Sequence, residues 1–123
     1  MSESIRAHID RIEEAYEFML AYAAQGRGDE GAGPDGAQIR TFLAQLDAAA
    51  AAIAEELDAV PLGGEAEAFL DSFKADTAIM TSVLRTMLAR GQITSEVVDN
   101  ANGLIAVRAY LTGLFFLDKV LLP

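Results

Sequence analysis

The sequence predicts an all-α protein: an antiparallel four-helix bundle made of two αα-hairpins, forming a single helical-bundle domain over residues 1–123. Three observations predict it. Apolar residues recur at spacings of three and four along four segments, the period of one helix face. Breaks rich in glycine or proline separate those segments, and no stretch shows the strict alternation of a strand. Two of the three connections are short, which makes sequential helices antiparallel neighbours.

The first helix is placed at 4–25, with Ser2 or Ser4 as its cap and Glu3 suited to its positive end. Its seam runs Ile5, Ile9, Ile12, Tyr16, Met19, Ala23, broadened by Ala15, Phe18 and Tyr22. Gly26 ends it by allowing a left-handed backbone. Residues 26–36 hold five glycines and a proline and read as a mobile loop. Arg27-Gly28-Asp29 within it spells an adhesion tripeptide, which three residues alone do not establish. The loop lacks the Lys-Ser or Lys-Thr ending of a phosphate cradle.

The second helix is placed at 36–59, capped by Asp35, with a seam of Ile39, Phe42 or Leu43, Leu46, Ala50, Ile53, Leu57 and Val60. Pro61-Leu62-Gly63-Gly64 stops it. The third, at 65–90, carries Phe69, Phe73, Met80, Val83 or Leu84, and Met87, with Asp76 where the seam expects an apolar residue. The fourth, at 95–122 and capped by Thr94 or Ser95, is apolar nearly all round: only Arg108, Asp118 and Lys119 are charged from Gly103 onward. Such a helix must be covered on more than one side. Its glycines each cost about 1 kcal/mol against alanine, and a close helix contact would offset that.

Composition narrows the function. There is no cysteine, so disulfides and thiolate metal sites are excluded. The single histidine, His8, belongs to no Glu-x-x-His, so a di-metal bundle site is not expected, and no metal or cofactor is implied. No catalytic residue can be named, and the reading favours a non-enzyme. The net charge of −10 disfavours nucleic acid, which needs a basic patch. Residues 1–62 carry twelve acids and four bases, a balance of −8, so a basic protein partner would suit that half. Arg108, Asp118 and Lys119 argue against a membrane span. With no secretory-type run at the N-terminus, a cytoplasmic location is expected.

Three residue groups are candidates. Facing residues of the last hairpin should have numbers adding to about 185, and Asp76 with Arg108 fits, suggesting a buried ion pair that sets register or, alternatively, an anion site on Arg108. Ala106, Ala109, Gly113, Leu114, Phe116 and Leu117 are read as an oligomer interface, because the fourth helix has more apolar surface than three neighbours can cover. Phe73, Met80, Leu111 and Phe115 are read as a possible apolar ligand pocket between helices 3 and 4. The function expected is protein–protein interaction by a self-associating homodimer, as adaptor, chaperone or inhibitor. An apolar small-molecule binder and an acidic mimic of nucleic acid are the alternatives.

Overall fold

The last of the predicted helices is broken. A computed structural model describes residues 2–31, 33–59 and 64–122, and every regular element among them is helical. The helices are α1 (Ser2–Ala24), α2 (Pro34–Asp58), α3 (Glu67–Leu88), α4 (Ser95–Gly103) and α5 (Ile105–Phe116). A single 3₁₀ turn, Gly64–Ala66, leads into α3, and a π-helical turn, Leu117–Leu121, continues α5. The expected Ser2 cap, the seam residue Val60 and the Pro61 to Gly63 part of the turn lie outside the described residues or side chains.

The seams do what their spacing implies. Ile5, Ile9, Ile12 and Met19 of α1 are buried against Ile39, Leu43, Leu46 and Ile53 of α2 and the rest of one continuous core. Each such side chain contributes roughly 1.5–3 kcal/mol by leaving water. α1 packs on α2, α2 on α3, and α3 on α5, while α4 packs on α1. In α3 the core position between Phe73 and Met80 is filled by Thr77, 6% exposed, not by Asp76. Its hydroxyl donates to the Phe73 carbonyl at 2.9 Å, so the polar atom is satisfied within its own helix.

Capping follows the sequence in part. Gly26 follows α1 at φ 65°, as expected. Thr94 caps α4, its hydroxyl accepting from the Val97 amide at 3.2 Å. Asp35 does not cap α2. That helix begins inside the expected loop, with Gly33 at its cap and Pro34 in its first turn, where a missing N–H costs nothing. Asp35 instead accepts from the Gln25 side chain at 2.8 Å.

The fourth helix divides at Leu104, whose backbone is extended (φ −64°, ψ 133°). On one side of the break, α4 is tied to α1. The Tyr22 hydroxyl donates to the Ile93 carbonyl at 2.7 Å, the Ser95 hydroxyl to the Tyr22 carbonyl at 2.7 Å, and Asn102 reaches the Met19 carbonyl at 3.4 Å. On the other side, α5 is held to α3 by rings: Phe73 with Tyr110 at 5.2 Å and Phe69 with Phe116 at 4.9 Å. The expected close contact at Gly103 is absent, since a Cβ there would meet nothing within 4 Å. Gly113 does sit close, but to its own chain: a Cβ would stand 3.0 Å from the Phe73 ring.

Gly36 offers a test of how tightly the first connection packs. A Cβ on it would overlap the Glu30 carbonyl. Alanine normally favours a helix over glycine by about 1 kcal/mol. Gly36→Ala is expected to reverse that sign and destabilise by roughly 2 kcal/mol or more, lowering Tm by several degrees, whereas Gly103→Ala stays within about 0.5 kcal/mol of wild type in the same thermal melts.

Candidate functional site

The glycine-rich connection is not a loose loop. Arg40, on the second turn of α2, places its guanidinium against both Glu30 carboxylate oxygens at 2.8 and 3.0 Å. The same guanidinium donates to the carbonyls of Leu88, the last residue of α3, and Arg90, in the turn beyond it, at 2.9 and 2.8 Å. Glu30 in turn accepts from the Ile93 amide at 3.0 Å, and its own amide donates to Gln92 at 3.0 Å. Arg27 lies over the Tyr22 ring at 5.5 Å, and its backbone exchanges hydrogen bonds with Ser95 at 2.8 and 3.0 Å. This knot fixes residues 26–31 onto the turn between α3 and α4 and corrects the reading of a mobile loop. It also engages Arg27 in bonds within its own chain.

Below the knot, α4 leans on α1 and α5 on α3, so α3 and α4 diverge. Between them lies a groove of about 510 Å³ lined by Ile79, Val83, Met87, Val97, Ala101 and Leu104, with Ser82, Thr86 and Asn100 at its edges. No charged side chain lines it. Its volume falls within the range of about 300–1,000 Å³ usual for binding pockets. Leu104 adjoins an apolar stripe that continues down α5, where Ile105 is 84% exposed and Val120 60%. Seven large apolar side chains stand exposed among the described residues. Six are Ile79, Leu104, Ile105, Phe115, Phe116 and Val120, and only Leu20 lies on α1.

The sequence-predicted sites fare unequally. Asp76 and Arg108 form no ion pair. Their level along the hairpin is right: Phe69 meets Phe116 and Phe73 meets Tyr110, pairs whose numbers add to 185 and 183. The break at Leu104 alters the rotation, and Arg108 lies beside Tyr16 and Leu20 of α1 instead. Of the predicted interface, Leu114 and Leu117 are core residues at 0% exposure, Gly113 backs onto Phe73, and Ala106 and Ala109 are half-buried. Only Phe116 stands out, on the Phe69 ring. The predicted pocket does not exist as such: Phe73 and Met80 are packed in the core, Leu111 is buried, and Phe115 lies on the outside. The groove residues Ile79, Val97 and Leu104 are apolar in the sequence, but nothing local marks them as uncovered.

Few titratable groups are perturbed. Burial pushes the Tyr110 phenol well above its usual range, and its hydroxyl has no partner among the described residues. Burial likewise raises Tyr22, against the lowering effect of Arg27. Hydrogen bonding from Arg40, opposed by desolvation and aided by the Ile93 amide, holds the Glu30 carboxyl below the usual carboxylate range. Glu14, Glu30, Asp35, Asp47 and Asp58 are engaged by partners on their own chain. Among the described residues no cluster of three or more His, Asp or Glu is placed to hold a metal, and no helix is long and apolar enough to cross a membrane. No protein-family model, curated protein or solved structure matches the chain.

Two measurements follow. Because the Glu30 carboxyl titrates lower when folded, its stabilising effect is complete above the ordinary carboxylate pKa and is lost as pH falls through the folded value. Glu30→Gln is expected to melt a few degrees below wild type at pH 7, about 1 kcal/mol, with the gap closing below about pH 4. Asp76→Ala, by contrast, removes no ion pair and is expected to leave stability within about 0.5 kcal/mol in a urea titration.

Proposed function

We propose that the protein acts through protein–protein contact, as a self-associating helical module, with α4 and α5 together filling the fourth place of an antiparallel four-helix bundle. The observation that carries this is an uncovered apolar surface on the less acidic half of the chain. The uncovered apolar groove and stripe belong to α3, α4 and α5. Residues 63–123, which hold those helices, carry seven acids and five bases, a balance of −2 against −8 for residues 1–62. Two copies approaching through that nearly neutral side keep their acidic α1–α2 faces apart, so repulsion opposes the contact least there. In the resulting homodimer those acidic faces point outward, where a basic protein partner would meet them.

A second reading is favoured by the groove itself: an apolar small molecule held between α3 and α4 in place of the pocket predicted from Phe73, Met80, Leu111 and Phe115. Native mass spectrometry of the purified protein separates the two, through a doubled mass or a small added mass on the 13.1 kDa chain. The expected result is a dimer in sedimentation velocity at tens of micromolar, dissociating on dilution. Ile105→Glu, at a position 84% exposed, is expected to weaken the dimer at least tenfold without moving Tm by more than a degree or two. A wild-type monomer persisting at about 100 µM overturns the self-association reading.

A further inference from the structure

We propose that the two copies engage reciprocally, the outer ridge of α5 on one copy seating in the α3–α4 groove of the other. This rests on the self-association reading above and specifies the surfaces that meet. The ridge is formed by Ile105, Ala109, Phe116 and Val120, whose spacings of four and seven place them on one face of the helix. Ile105 and Val120 are exposed there, Ala109 is half-buried, and Phe116, 45% exposed, rests with one side on the Phe69 ring. The groove is its counterpart. Its lining is apolar, with Met87 and Ala101 buried and Ile79 and Leu104 exposed, and it includes Ala78 and Ser82 of α3, small enough to let a neighbouring helix approach closely.

The two features occupy opposite ends of one side. The groove flanks the turn between α3 and α4, and the ridge runs away from that turn toward Leu122. Leu104, a groove residue, and Ile105, the first ridge residue, join them. A two-fold axis crossing the side between groove and ridge therefore sets each ridge over the partner's groove and closes the assembly at two copies. The occupant is a second copy because the chain itself carries the matching ridge. Charge agrees: this is the half with a balance of −2, and no charged side chain lines the groove.

Two exposed positions test the arrangement. Ile79→Glu places a charge in the groove, and Val120→Lys places one on the ridge. Circular dichroism and thermal melts establish that both variants fold. In sedimentation velocity each variant alone is expected to dimerise at least tenfold more weakly than wild type. An equimolar mixture is expected to restore a dimer, seen as the heterodimer mass in native mass spectrometry. In that heterodimer one ridge–groove contact is wild type on both sides, and the other pairs Lys with Glu. Wild-type-like dimerisation of Ile79→Glu overturns the inference and leaves the self-association reading standing, since the dimer then uses another face. A mixture that stays monomeric overturns the inference as well. A monomeric wild type overturns both.

Discussion

The last quarter of the chain must serve two neighbours that a straight helix cannot reach together. Ser95 and Asn102 bind α4 to the carbonyls of α1, while Tyr110 and Phe116 stack α5 on the rings of α3. The extended residue Leu104 reconciles these demands by letting the chain change direction between them. Most of the unusual surface follows from that one break. It separates α4 from α3 and so opens the groove, it turns Ile105 to the outside, and it carries Arg108 to the α1 side.

The other end of the molecule is organised by Arg40. One planar guanidinium bridges three segments: the glycine-rich connection through Glu30, the end of α3 and the turn after it through the carbonyls of Leu88, Arg90 and Gly91, and its own helix α2. A lysine could not do this, because it lacks the fork that addresses several acceptors in one plane. The glycines are needed for proximity as much as for turning. Gly36 lets the Glu30 backbone lie directly on the first turn of α2, which brings the carboxylate within reach of Arg40. The pair is partly exposed, so its worth lies in the bonds it organises more than in its own attraction.

Much of the architecture is legible in the sequence because helical periodicity is a local property. The seams of α1 and α2 fall almost residue for residue where Ile5, Ile9, Ile12, Ile39, Leu43 and Leu46 imply. The pairing of α3 with α5 also falls near the expected sum, as the Phe69–Phe116 and Phe73–Tyr110 pairs attest. Register gives height along an axis, however, and says nothing of rotation about it once a helix has been interrupted. That is why Asp76 and Arg108 share a level without meeting. Thr77 escaped the apolar pattern because its polar atom is satisfied inside its own helix. The glycine-rich stretch misled for a different reason: composition reports what a backbone could do alone, whereas Arg40, Gln92 and Ile93 restrain it from a distance. The groove is the least legible feature, since it depends on which helices fail to touch.

The sequence distances spanned by the knot have a kinetic meaning. Tyr22 meets Ile93 across 71 residues, and Glu30 meets Ile93 across 63. Contacts that enclose so much chain carry a loop-closure cost that is met only when the intervening helices are brought together. Bonds made after the rate-limiting barrier act chiefly as a brake on unfolding. Formed after that barrier, the contacts that join Tyr22 and Glu30 to Ile93 would lengthen the life of the native state without changing how quickly it is reached.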